Sequence, residues 1–339
     1  MAKKSEKNII TGLDIGTSKV VALIGEVTAD GAIEVIGIGS HPSRGLKRGV
    51  VVDIEATVNT IQRAVQEAEL KAGCEVRTVY TGIAGSHIRS LNSHGIVAIR
   101  DLEVSQGDVE RVIDAAKAVA IPADQKILHI LPQEFIIDNQ GSIREPVGMA
   151  GVRLEARVHI VTAAVSAAQN IAKCIRRCGL EVSDIILEPL ASSHAVLTED
   201  EKELGVCLID IGGGTTDIAV FSEGAIQHTA IIPIAGDQVT NDIAMALRTP
   251  TNAAEAIKIS HAFAMPELAS SNDMLEVLSV SERPGRKISA KVLSEVVSAR
   301  YEELFSLVRN ELRRSGFEQR VAAGMVMTGV VHASKVLSN

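Results

Sequence analysis

The sequence predicts an α/β protein of two lobes, each built on a copy of one ββ-meander and helix core, with a small α+β subdomain inserted in the first. Three observations carry this expectation. Residues 12–24 read GLDIGTSKVVALI and residues 208–221 read LIDIGGGTTDIAVF, so an apolar strand ending in Asp-Ile-Gly, a Gly/Thr/Ser turn and a return strand occur twice. Each copy leads into a Gly-Ala-Ile turn, at Gly31-Ala32-Ile33 and at Gly224-Ala225-Ile226. The pattern between the copies changes character from about residue 84 to 160, and 339 residues exceed one ordinary domain.

In chain order, Ile9–Asp14, Lys19–Val27 and Ala32–Ser40 read as strands, the last two joined through Asp30-Gly31, a strong hairpin signal. Asp53 caps a helix whose stripe is Ile54, Val58, Ile61, Val65 and Ala68, and Gly73 stands where a left-handed cap belongs. Arg77–Ile83 is the next strand. In the inserted stretch, alternation near 95–100 predicts a strand. Ser105 and Asp108 form a capping-box pattern for a helix turning Val109, Val112, Ile113 and Ala116 inward. Strands follow near 127–138 and 152–161. A helix from Val165 to Cys178 closes at Gly179, and Ile185–Leu187 leads through Pro189 into a helix over Leu190–Leu197. The acidic run Glu199-Asp200-Glu201-Lys202-Glu203 reads as a solvated loop.

The second half opens with strands Val206–Ile211, Asp217–Phe221 and Ala225–Ile234, then helices at about 238–247 and 252–264. Residues 265–288 are mixed. A long helix from Ser289 past Leu312 carries Val292, Val296, Tyr301, Leu304, Val308 and Leu312 as its stripe, and Ala322–Thr328 is a last apolar strand.

Composition narrows the function. Lys+Arg total 34 against Asp+Glu 42, a net charge of −8, and aromatics are 2% with no Trp. Neither a basic face for duplex DNA nor stacking platforms for single strands are expected, so nucleic acid is not an expected partner. The four cysteines (74, 174, 178 and 207) form no CxxC pair, and Cys174 and Cys178 read as small apolar residues of a buried helix face. No apolar secretory segment or run of about 18 apolar residues is present, so the chain reads as cytoplasmic and reduced.

The glycine turns carry the chemistry. Successive backbone N–H groups in such a turn form a nest for an anion, glycine lets a phosphate approach closely, and Thr or Ser adds a hydroxyl. A carboxylate at the strand end repels phosphate but suits Mg²⁺ or its waters. Gly16, Thr17 and Ser18 with Gly212, Gly213, Gly214, Thr215 and Thr216 are therefore candidates for the phosphate side. Asp14 and Asp210 are the candidate metal ligands, through water, and Asp210 is the candidate to orient a water for hydrolysis. A dinucleotide site of Rossmann type is disfavoured, because each turn leads to a strand and not to a helix. No general base stands out, so the sequence supports nucleotide binding better than turnover.

The segments LDIGTSKV, IDIGGGTTDIAV and AGMVMTG resemble the two phosphate motifs and the adenosine motif of the actin/Hsp70/sugar-kinase superfamily. More narrowly, GSHPSRGLKRGVVVD, LHILPQEFIID, PVGMAGVRLEARVHIVT, EPLASSHAVLTEDEKELGVCLIDIGGGTTDIAV and IAGDQVTNDIAMAL are similar to FtsA, the bacterial actin-like cell division family, with a match from about residue 8 to 329.

The resemblance implies a two-lobed actin-like ATPase fold, with subdomain 1A at 1–83 plus 162–196, the family-specific insertion 1C at 84–161, 2A at 197–225 plus 303–339, and 2B at 226–302. It implies ATP and Mg²⁺ as cofactors, held by Asp14, Gly16, Thr17, Ser18, Asp210, Gly212, Gly213, Gly214 and Thr215. Gly236, Glu255, Lys258 and Gly329 match positions near the ribose and adenine. It also implies polymerisation, binding of the FtsZ C-terminal tail through Arg300, Tyr301 and Glu303, and recruitment of later division proteins at the cytoplasmic face of the inner membrane. Tyr301 equally fits the apolar stripe of its helix, and Arg300 with Glu303 fits a solvated ion pair.

Family members follow the adenosine motif with a second glycine and a helix, and end in a membrane-binding amphipathic helix. Here Thr328-Gly329-Val330-Val331-His332 runs to Asn339 with one lysine, Lys335. The expectation is an incomplete 2A and no membrane anchor on this chain. Two other readings stand beside this one. One is an actin-fold small-molecule kinase, for which Glu134 is the nearest acidic candidate; the other is a rod-shape or pilus-assembly scaffold.

Overall fold

The computed structural model describes residues 8–270, 272–279 and 285–329. The tail from Val330 to Asn339, with His332 and Lys335, lies outside the described residues, as do Met1–Lys7 and Pro284.

The first lobe begins with β1 (Ile9–Ile15), β2 (Lys19–Val27) and β3 (Ile33–Pro42), followed by the two-residue strands β4 (Leu46–Lys47) and β5 (Val50–Val51). Helix α1 (Ile54–Ala72) starts at Asp53, whose side chain accepts from the Ala56 N–H, and ends at Gly73 in the left-handed conformation. β6 (Thr78–Ile83) leads into the insertion: β7 (Ile88–Ala98), α2 (Gln106–Lys117), β8 (Gln125–Ile137), β9 (Gln140–Ile143) and β10 (Arg153–Ala164). The Ser105–Asp108 capping box is formed in both directions. The chain returns through α3 (Val165–Arg177) and β11 (Glu181–Leu187), then passes through α4 (Glu188–Val196) and α5 (Glu199–Leu204) to the second lobe. That lobe holds β12 (Val206–Ile211), β13 (Thr216–Ser222), β14 (Ala225–Ile232), α6 (Gly236–Leu247), α7 (Thr251–His261), the hairpin β15 (Met274–Val277) and β16 (Arg286–Ser289), α8 (Ala290–Ser315) and β17 (Met325–Gly329).

The internal duplication is visible in the topology. The first sheet has the order β11-β6-β1-β2-β3 and the second β14-β13-β12-β17. In each, the motif strand (β1 or β12) pairs antiparallel with its return strand and parallel with a later strand on its other side. The insertion forms its own sheet, β7-β10-β8-β9. Each of the three sheets has a separate apolar core: Val20, Ile24, Ile61 and Ile175 in the first lobe, Ile209, Ile218, Leu293 and Leu304 in the second, and Val112, Leu154 and Ile160 in the insertion. Burial of such side chains contributes about 1.5–3 kcal/mol each and holds each sheet to the helices packed on it.

Two expectations are corrected. The acidic run is not a loop but the helix α5. Thr198 caps it and Glu201 returns the bond to the Thr198 N–H, while Glu199, Asp200 and Glu201 sit at the positive end of the helix dipole. Its Lys202 is buried and paired with Glu199. On α8, Val292 is 44% exposed whereas Leu293 and Val297 are fully buried. Stepping back by four from Tyr301 gives 297 and 293, so the stripe keeps a spacing of four through its first turns. The strand β9 and the β15–β16 hairpin are additional to the expected elements.

Candidate functional site

The two glycine turns meet across one cleft of about 560 Å³, lined by Asp14, Gly16, Thr17 and Ser18 from the first lobe and Asp210, Gly212, Gly213, Gly214 and Thr215 from the second. Asp14 and Asp210 thus face a shared space. The turns are built alike. The Gly16 N–H donates to the Lys19 carbonyl at 3.0 Å and the Gly212 N–H to the Thr215 carbonyl at 2.9 Å. The N–H groups of Thr17, Gly213 and Gly214 find no acceptor among the described residues. They are the donors an anion nest requires.

The turns also touch. A Cβ on Gly213 would lie 2.9 Å from Ser18 Cβ, and one on Gly214 2.9 Å from Thr17 Oγ1 and from Arg48 Cα. Thr17 Oγ1 in turn accepts from the Gly49 N–H at 3.1 Å. Gly329 also lines the cleft. It lies opposite Ile211 in the β12–β17 ladder, with φ +104°, and its Cβ would be 2.7 Å from Asp210 Oδ1. A side chain there would strike the carboxylate.

The cleft is strongly acidic. Burial pushes Asp14 up to about 6, helped by the Asp210 charge and opposed by Lys19. Burial raises Asp210 as well, while the Ser192 hydroxyl, donating at 2.7 Å, counters it. Two carboxylates not anticipated from the sequence also line it, Glu188 and Asp217. Burial and the Asp210 charge bring Asp217 to about 7. Glu188 is pushed well up by burial and by Asp14, Asp217 and Asp210. One sign in the sequence could have found Asp217: in a hairpin closed after Gly212–Thr215 it falls directly opposite Asp210. Glu188 stands just before Pro189 at the start of a helix, and nothing local marks it.

This chemistry fits a magnesium–polyphosphate group. Asp217 is 5% exposed, and its Oδ1 has no partner among the described residues. Four carboxylates line the cleft with Lys19 as the one cationic lining residue among the described residues, a setting that favours a bound cation. Among the described residues no three acidic, His or Cys side chains are arranged to hold a metal directly. Mg²⁺ is commonly held by one or two carboxylates together with waters and phosphates.

Three expected positions stand beside the cleft and do not line it. Gly236 begins α6, and its N–H donates to the Gly212 carbonyl at 3.1 Å. The buried Lys258 donates to the Gly236 carbonyl at 3.1 Å and to Thr240 Oγ1 at 2.8 Å, and pairs with Glu255 at 2.7 Å. Together they tie the start of α6 to the second turn at the edge of the cleft. On α8, Tyr301 is buried in the second-lobe core, 3% exposed, while Arg300 forks onto Asp242 at 2.6 and 3.0 Å and pairs with Glu303. Glu134 is committed to Arg157 at 2.7 Å and to the Ser142 N–H at 2.8 Å.

Comparison with known proteins agrees with this geometry. A family profile described as "SHS2 domain inserted in FTSA" matches residues 85–162, and one described as "Cell division protein FtsA" matches 207–336. The cell division protein FtsA of Pseudomonas aeruginosa is 68% identical over 97% of this chain and 79% of its own length. The chain belongs to the FtsA family. FtsA of Neisseria meningitidis is 54% identical and that of Escherichia coli 47% identical, each over 97% of this chain and 80% of the relative. Family membership makes this FtsA chain an actin-like cell division protein, with the family's inserted unit on β7–β10.

Solved structures show the same fold at low identity. The PilM–PilN type IV pilus biogenesis complex has a TM-score of 0.64 at 17% identity, covering 94% of this chain and 81% of that one. MreB5 of Spiroplasma citri bound to ADP has 0.55 at 15%, covering 95% and 84%. Among the described residues, no helix of this FtsA chain is long and apolar enough to cross a membrane.

Proposed function

We propose that this FtsA chain is an ATP-dependent scaffold of the bacterial division machinery that holds Mg²⁺–ATP between its two glycine turns. The observation that carries this reading is the pairing of Asp14 and Asp210 in one cleft, each ending a motif strand whose turn is closed by the same backbone bond.

The nucleotide would supply the phosphate charges and the energy of their hydrolysis. The chain's own groups do the rest. Thr17, Gly213 and Gly214 offer backbone N–H donors, and Gly16, Ser18, Gly212 and Thr215 shape the pocket around them. Asp14 and Asp210 would hold the magnesium, through water. Glu188, held in its protonated form by burial and by its surroundings, adds a neutral carboxyl to the same cleft, and Asp210 would orient a water for hydrolysis. Gly236, Glu255, Lys258 and Gly329 would bound the ribose and base side. Closure of the lobes on the ligand would favour head-to-tail polymerisation.

In the division of labour we assign, residues 1–83 with 162–196 and 197–225 with 303–339 form the ATPase core. Residues 84–161 recruit later division proteins, and residues 226–302 with the exposed side of α8 receive the FtsZ tail at the cytoplasmic face of the membrane. On that helix Arg300 and Glu303 would meet the peptide directly, with Tyr301 supporting them from beneath. The small-molecule kinase reading draws nothing from Glu134, whose oxygens are both engaged.

Calorimetric titration of the full chain with ATP in MgCl₂ tests the reading. Saturable binding that weakens by at least about tenfold in Asp14→Asn and Asp210→Asn is expected. Absence of binding, or phosphoryl transfer to small acceptors at a rate matching a kinase, would overturn it.

A further inference from the structure

Helix α4 joins the lobes. It begins at Glu188, immediately after the last residue of β11, and touches β6 and β11 of the first sheet and β12, β13 and β17 of the second. Pro189 fixes its first turn, and the buried Ser193 bonds back to the Leu190 carbonyl at 2.7 Å. Its next residue back, Ser192, lines the cleft and donates its hydroxyl to Asp210 Oδ2 at 2.7 Å. Asp210 therefore has one oxygen committed to α4. Its other oxygen, Oδ1, lies beside Gly329, where no side chain intrudes.

We propose that Ser192 is a positioning residue for cation binding: by holding Oδ2 it turns Asp210 so that Oδ1 is left for the hydrated cation, and it ties the helix between the lobes to that carboxylate. The inference rests on the Mg²⁺–ATP reading above and adds to it a residue outside both glycine turns. A hydroxyl-to-carboxylate bond in a buried setting is charge-assisted and directional. Without it the Asp210 carboxylate can rotate about its terminal torsion, which is broad for Asp. The cation would then have to select one orientation at its own expense, while contacts of the nucleotide with the backbone donors are unaffected.

The test is ATP titration of the full chain by calorimetry, at a series of MgCl₂ concentrations and in EDTA. For Ser192→Ala, the MgCl₂ concentration giving half the magnesium enhancement rises about tenfold. Affinity in EDTA stays at the wild-type value, and Ser192→Thr, which keeps the hydroxyl, restores the wild-type magnesium response. Equal weakening of ATP in EDTA and in MgCl₂, or no recovery in Ser192→Thr, would show a merely structural role and overturn the inference. A wild-type response to magnesium that Ser192→Ala fully retains overturns this inference alone. Failure of the wild-type chain to bind ATP at any magnesium concentration overturns the nucleotide reading and this inference with it.

Discussion

Gly213 of the second lobe packs directly on Ser18 of the first: a Cβ on Gly213 would stand 2.9 Å from Ser18 Cβ and 3.1 Å from the Ser18 nitrogen. The lobes thus close on each other through two turns, the glycine backbone of one against Ser18 and Thr17 of the other. Gly213→Ala forces one turn to retreat by several tenths of an ångström. Because the turn's donors would have to converge on the same ligand, ATP affinity is expected to fall by about tenfold or more. Gly213 does not have a left-handed φ, so the melting temperature should change little. Calorimetric titration alongside thermal melts checks both halves; a stable variant with full affinity would show that the contact does not matter.

The cleft carboxylates set a pH dependence whose sign follows from their direction. Asp14, lifted to about 6, and Asp217, lifted to about 7, bind protons more tightly folded than unfolded. Their stabilising effect is present at low pH and lost as pH rises through those values. Nucleotide-free protein should therefore gain stability as pH falls from 8 to about 6.5. Below that the buried histidines act in the opposite direction. His159, lowered to about 4 by burial and then by His228, stays neutral when folded but takes a proton once unfolded. Melting temperature against pH should peak near the meeting of the two effects, and Asp217→Asn should flatten the limb above it. A curve that rises steadily to pH 8 in wild type would contradict these assignments.

Much of this was legible in the sequence because it repeats. The Asp-Ile-Gly turns at Asp14 and Asp210 announce themselves twice, and a duplicated ββ unit leaves few topologies open. Helix ends were legible where a cap has a local chemical sign, as at Asp53, Ser105 and Gly73. What escaped depends on register or on distant neighbours. Asp217 becomes a cleft residue only when the hairpin places it against Asp210, and Glu188 only when α4 crosses between sheets. Gly236, Glu255 and Lys258 come together only when α6 packs on α7, a contact that no local pattern announces. Charge misled at α5, where Thr198 and Glu201 already spell a capping box, yet five charged residues in a row suggested solvent.

Helix α5 supplies its own test. Thr198 Oγ1 accepts from the Glu201 N–H at 3.2 Å, and Glu201 Oε2 accepts from the Thr198 N–H at 2.7 Å. The helix carries more than its own turns: the Glu223 and Gly224 N–H groups of the β13–β14 turn donate to the Glu203 and Lys202 carbonyls at 3.0 and 3.1 Å. Thr198→Ala should cost about 1 kcal/mol in chemical denaturation. Faster amide exchange should appear in residues 222–225 as well as in α5 itself. Exchange confined to α5 would show that the turn does not depend on it.

Tyr301 separates core from partner surface on α8. Its ring stacks near Phe305, with centroids 6.1 Å apart, inside the second-lobe core, and its hydroxyl is buried with no hydrogen-bond partner among the described residues. An unpaired buried hydroxyl carries a desolvation cost of about 1–3 kcal/mol, so Tyr301→Phe should leave stability unchanged or raise it slightly. Tyr301→Ala removes the ring and should cost about 3–5 kcal/mol, as large-to-small changes at buried aromatics do. Arg300 and Glu303 stand outside that core, with Arg300 held in place by Asp242. Binding of an FtsZ tail peptide, followed by fluorescence anisotropy, should therefore survive Tyr301→Phe and weaken in Arg300→Ala and Glu303→Ala. Tyr301→Ala should lose binding only to the extent that it loses folded protein. If Tyr301→Phe abolished peptide binding while melting like wild type, the hydroxyl would have to reach the partner, and α8 would have to turn outward from the packing seen here.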